Sequence, residues 1–130
     1  ERLKVFIRSF MMRIFDEGKP AWHGRLMIKE ISEPTAALDL LIEQSVRIQF
    51  ELLISILQSL VGDRLPQVRL RMCATSIVAQ CIHAYYARHV IQKLNPQLIY
   101  GPDNIDILVN HIFGFSLAAI RGLAGRENTP

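Results

Sequence analysis

The densest set of side chains able to do chemistry lies in AWHGRLMIKEISEPTAALD, residues 21–39 of a 130-residue chain. Trp22, His23, Arg25, Lys29 and Glu30 crowd into a short stretch that stops at Pro34. A metal site on a helix prefers ligands three or four residues apart. His23 and Glu30 share a helical face but sit ~10 Å apart along the axis. His83, His89 and His111 form no such pair with one another. Cys73 and Cys81 on one helix would be separated by ~12 Å, whereas a disulfide needs Cα atoms within about 7 Å. Both read as reduced core thiols, as in a cytosolic protein. Gly-x-Ser-x-Gly, His-Glu-x-x-His and a phosphate-cradling glycine loop are missing. An enzyme needs convergent titratable groups, and here they are scattered. The expectation is no catalytic residue, no metal and no cofactor.

A lining role suits the stretch better. His23, Leu26, Met27 and Glu30 fall on one side of a short helix. Phe10, Met11 and Met12 come from the helix before it, Phe50 from the helix after it and Tyr85 from a later one. Methionine and aromatic side chains with one or two polar groups make an adaptable small-molecule pocket. The candidate pocket residues are Phe10, Met11, Trp22, His23, Met27, Glu30, Phe50 and Tyr85. The same pattern also describes ordinary core, with His23 and Glu30 at its wet edge and Trp22 as an anchor.

These residues must be positioned by helices, because apolar residues recur at three and four almost throughout and strand alternation is missing. The spacing predicts helices over about 2–17, 22–32, 35–61, 66–94 and 103–123. Gly18 is expected as a left-handed cap, with Pro20 preventing continuation. Pro34 stops the second helix, and Gly62 and Asp63 close the third. The fourth begins at Pro66, ends at Asn95-Pro96 and has room for a bend. Asp103 and Asp106 have a capping-box-like spacing. In the third helix Leu38, Ile42, Val46, Phe50, Leu53, Leu57 and Leu60 make one stripe. Asp39, Glu43, Arg47 and Glu51 make the opposing one. The fold class is an all-α bundle in a single domain, residues 1–130, with a frayed tail from Gly125.

A net charge of +3 is too mild for a DNA-reading module, although Arg64, Arg69 and Arg71 cluster. No unbroken apolar run approaches the ~18 residues of a membrane span, so no membrane is expected. The final helix is apolar on more than one side. Ile105, Leu108, Ile112, Phe115 and Ala119 form one track, and Val109, Phe113, Leu117, Ile120 and Ala124 another. A helix apolar nearly all round must be buried nearly all round. Small residues on the last two helices permit close helix approach. A twofold homodimer through an intermolecular four-helix bundle follows, with Ile77, Cys81, Val109, Ile112, Phe113, Ser116, Leu117 and Ile120 as candidate interface residues. The other reading is a central helix inside a monomer.

The segments PAWHGRLMIKEISEPTAALDLLIEQ, QCIHAYYA and HIFGFSLAAIRGL resemble the regulatory domain of tetracycline-repressor-like (TetR family) regulators, nearest to the CecR-like branch. The resemblance runs from Glu1 to about Gly122. It implies a cytoplasmic, ligand-responsive repressor domain that dimerises through its last two helices and binds an unknown small-molecule effector among the earlier ones. It also implies an amino-terminal helix-turn-helix, lacking in this sequence, through which alone operator DNA would be read. The chain opens inside a helical pattern without methionine and reads as a piece of something longer. A helical protein-interaction module without an effector is the competing class.

Overall fold

The computed structural model describes residues 1–15, 21–98 and 102–127, and for residues 21–26, 102 and 127 only the backbone. The expected Gly18 cap and Pro20 stop lie outside these residues. The elements run α1 Arg2–Ile14, α2 Ala21–Ser32, α3 Ala36–Leu41, a π-helical turn Ile42–Val46, α4 Arg47–Val61, a 3-10 turn Gly62–Arg64, α5 Gln67–Tyr86, α6 Arg88–Leu94, a 3-10 turn Pro102–Asn104 and α7 Ile105–Glu127. The described chain is all-α, as the periodicity predicts.

The core joins four helices. Leu3, Phe6, Ile7 and Met11 come from α1; Leu53, Ile54, Ile56, Leu57 and Val61 from α4. Leu70, Cys73, Ala74, Ile77, Cys81 and Ala84 come from α5, and Ile105, Leu108, Val109, Ile112, Ile120 and Ala124 from α7. Within each helix the spacings are mostly three, four and seven, so one face is turned inward. Side chains this thoroughly covered stabilise the fold by roughly 1.5–3 kcal/mol each relative to exposure.

The third predicted helix is continuous in course but not uniform in winding. Leu38, Ile42, Val46 and Phe50 are each four residues apart. On an α-helix each such step drifts the face by about 40°. The π turn at Ile42–Val46 lets one turn take up an extra residue, which offsets that drift and keeps the stripe in register. Burial nevertheless stops partway. Leu53 and Leu57 are fully covered, Phe50 is half-buried and Val46 is exposed. The opposing charges split: Arg47 bonds Glu43 at 2.9 Å, while Glu51 reaches across to Arg71 on α5 at 3.1 Å.

Boundaries follow local chemistry. Gly62 ends α4 at φ +59, a conformation that disfavours a Cβ. Pro66 stands just before α5 rather than inside it. The anticipated bend in the fourth helix is real: α5 ends at Tyr86 and α6 restarts at Arg88. The fifth predicted helix begins later and ends later than its spacing suggests, and Asp106 pairs with Arg8 of α1. The expected fraying gives way to helix as far as Glu127, and the rest of that tail lies outside the described residues.

By mean hydropathy, Ile105–Arg126 is long and apolar enough to cross a membrane, which a search for unbroken apolar runs misses. Its buried face sits against α1, α4 and α5, but only about a third of the segment is buried and its other side is open.

Candidate functional site

Two regions carry the residues singled out above. The first is the end of the bundle where α1 finishes. Antiparallel packing brings the start of α4 there, since the Arg13 guanidinium donates to Gln49 Oε1 at 3.3 Å. The end of α5 arrives at the same place, with the Tyr85 ring edge-on to Phe15 at 5.0 Å. Phe10 stacks on Phe6 at 6.2 Å, and the Arg13 guanidinium lies 5.9 Å from its centroid. Arg88 covers Tyr85 at 4.1 Å and donates to the Tyr85 carbonyl at 2.8 Å. Phe10, Phe50 and Tyr85 are half-buried, while Met11 is completely enclosed behind them. Four of the predicted pocket residues therefore share one end of the bundle.

The α2 residues are placed differently. Trp22 and His23 lie in the α2 backbone, and their side chains fall outside the described residues. Met27 is half-buried and Glu30 is buried. The main packing partner of α2 is α3. Glu30 is held by local structure: its Oε2 accepts from the Thr35 amide and its Oε1 from the Thr35 hydroxyl, both at 2.8 Å. Thr35 Oγ1 in turn accepts from the Ala37 amide at 3.2 Å and caps α3. This chain of bonds joins α2 to α3 across Pro34. A ligand reaching the Glu30 carboxylate would have to compete with Thr35.

Hydrogen bonds from the Thr35 amide and hydroxyl, with a smaller effect of Lys29, hold the Glu30 carboxyl below its ordinary 4.5. The folded form thus favours the carboxylate. Stability from this group is full above about pH 4.5 and is lost as pH falls through the lowered folded value. Replacing Glu30 with Gln is expected to flatten that part of the acid-unfolding curve while leaving its neutral plateau folded. Parallel acid titrations of both proteins by circular dichroism check this; superimposable acid limbs would contradict it.

The second region is the outer side of α5 and α7. A groove of about 280 Å³ runs between them. Ile77, Ser116 and Ile120 form its floor, and Arg69, Met72, Ser76, Phe115 and Ala119 are among its walls. Gln80 donates to Ser116 Oγ at 3.0 Å and ties the two helices together. A second shallow groove continues along α5 over Val68, Arg71, Met72, Thr75 and Ser76.

The predicted interface set turns out to face largely inward. Cys81, Val109 and Ile112 are enclosed in the chain's own core, and Ile77, Ser116 and Ile120 are covered except toward the groove. Phe113 and Leu117 are half-buried. The surface open to another molecule is made by Val68, Met72, Ile107 and Phe115, which are 59–71% exposed, and by Gly114, Ala118 and Gly122 between them. The signal for these was in the sequence. Val68 and Met72 lie on the outer side of α5 and Ile107 and Phe115 on the outer side of α7, where a lone bundle would carry polar residues.

Both cysteines are free and buried. Burial pushes the Cys81 thiol up to about 12, and it raises Cys73 too, with Arg69 pulling the other way. At pH 8 iodoacetamide is expected to modify Cys73, on the groove wall, well before Cys81. Mass spectrometry of the native protein over time checks the order; equal rates would contradict the enclosure of Cys81.

A sequence model of the family described as "HTH-type transcriptional dual regulator CecR, C-terminal domain" matches residues 1–120. No curated protein and no solved structure matches the chain. The matched span takes in both regions: the end of the bundle around Phe10, Phe50 and Tyr85, and the α5–α7 groove.

Proposed function

Because the chain belongs to the family of CecR C-terminal domains, a transcription-regulator family rather than an enzyme class, we propose that it is the effector-binding and homodimerisation domain of a cytoplasmic TetR-like repressor. Operator DNA is read by a helix-turn-helix domain outside this sequence. The observation that carries the reading is the apolar outer side of α5 and α7. A contiguous exposed patch of this kind marks an interaction surface, and a second copy supplies the same patch in return.

The effector sits at the other region, against Phe10, Phe50 and Tyr85. The coupling runs through α1. That helix carries Phe10 and Met11 at one end, while Arg8 holds it to Asp106 of α7. A ligand that fits one setting of α1 better than another shifts α1 relative to the dimer helices, by no more than its difference in affinity for the two states. The spacing of two reading heads then changes against half-sites one DNA turn apart, and the repressor releases its operator.

Sedimentation equilibrium tests the carrying observation: a dimer is expected at micromolar concentration, and a monomer at every concentration would defeat the reading. A thermal-shift screen tests the effector, since binding to the native state alone raises its apparent stability. A hit should lose its shift in Phe50→Ala. The competing class, a module for a partner helix, draws on Leu40, Ile48 and Leu52, which are exposed along one side of α3 and α4. A monomer that co-purifies with a stoichiometric partner protein would decide for it.

A further inference from the structure

The α5–α7 face has a projection and a recess side by side. Phe115 is 61% exposed, an unusual state for a phenyl ring in the middle of a 23-residue helix. Directly beside it lies the groove of about 280 Å³ whose walls include Ser76 and Ala119. An enclosed cavity of ~150 Å³ already holds a benzene molecule, so a phenyl ring fits. A knob and a hole on one patch are what a twofold interface requires, since each copy must present both. Resting on the homodimer reading above, we infer that Phe115 of each copy inserts into the α5–α7 groove of its twin, with the two α7 helices antiparallel across an axis near Gly114.

Charge and space support that arrangement. Asp103 lies in the turn into α7, and Arg121 and Arg126 stand near its far end; all three are exposed. An antiparallel pair sets the acidic end of each helix beside the basic end of the other. It also opposes the two helix dipoles favourably. Parallel pairing would put like charges together. At the crossing, Gly114 would meet nothing within 4 Å if it carried a Cβ, so no neighbour inside the chain requires glycine there. Glycine inside a helix costs about 1 kcal/mol relative to alanine. The twin helix, approaching closely along a line through Gly114, supplies a reason for it. Phe115 lies on the α5 side of that contact line, so it is directed at the twin's groove rather than at bulk water.

Three full-chain proteins test the inference by sedimentation and native mass spectrometry, with circular dichroism reporting the fold. Phe115→Ala removes the knob, and Ser76→Trp fills the hole from an exposed position. Each alone is expected to raise the dimer Kd on the order of 100-fold or more, since two phenyl burials are lost per dimer, with helical content and cooperative unfolding kept. Mixed together they should form a heterodimer, because the Ser76→Trp chain keeps its phenyl at Phe115 and the Phe115→Ala chain keeps an open groove to receive it. Recovery on mixing is a result that mere loss of fold cannot produce. A wild-type dimer whose Kd changes less than threefold in both variants overturns the knob and leaves the dimer standing. Weakened variants that fail to recover on mixing overturn it as well. A wild-type chain that stays monomeric removes the dimer itself.

Discussion

Leu57→Ala is expected to destabilise the domain by about 2–5 kcal/mol. Leu57 is fully enclosed on α4, the helix that touches α1, α5 and α7. Truncation there removes apolar contact with several elements at once. The surrounding helices can collapse into the space only by moving together, so much of the cavity stays. Against a total of roughly 5–15 kcal/mol for a domain, this is a large fraction. Leu52→Ala, one turn away and 43% exposed, removes the same atoms from a partly wet site and should cost about 1 kcal/mol or less. Urea unfolding of the two variants checks the contrast. Equal losses would mean that α4 is not the central strut of the bundle.

That contrast also explains how far the fold was readable beforehand. Helices were legible because Leu3, Phe6 and Ile7, or Leu53 and Leu57, repeat at helical spacing and polar residues separate them. Such a pattern fixes which face turns inward, but not where along a helix the covering ends. Leu38, Ile42 and Val46 continue the stripe of Leu53 without an equally deep core over them, and among the described side chains no apolar residue of α2 or α3 joins the central cluster. The π turn was equally hidden, since it leaves the inward stripe unchanged. Gly62 was legible for the opposite reason: its backbone angle is a local requirement that residue type reveals.

The candidate sites were legible by residue type more than by partner. Phe10, Met11, Phe50 and Tyr85 come from three helices and arrive at one end; a short antiparallel turn explains α4 with α5, whereas α1, separated from α4 by α2 and α3, joins them through packing that spacing does not describe. Glu30 was singled out as one of a few polar groups among apolar candidates, and it is buried. Its partner is Thr35, five residues on. The Pro34 turn folds Thr35 back onto α2, a geometry that helical periodicity does not describe.

The two-sided apolarity of α7 leads to the second large effect. Val109 and Ile107 lie two residues apart on one helix, at 1% and 69% exposure. Val109→Asp places a carboxylate among the apolar side chains of the core cluster. An unpaired charge in such surroundings costs several kcal/mol even after relaxation, and a lost apolar side chain adds to that. The expected outcome is a chain without a cooperative thermal transition at neutral pH. Ile107→Asp puts the same carboxylate on the outer face, where water reaches it in the single chain. That variant should keep its helical content and unfold cooperatively as a monomer, while its dimer weakens because the charge would be enclosed by the twin. Circular dichroism melts read the first half and sedimentation the second. If Ile107→Asp left both the fold and the association state untouched, the outer side of α7 would be ordinary wet surface, and the apolar residues there would need a cause other than a second copy of the chain.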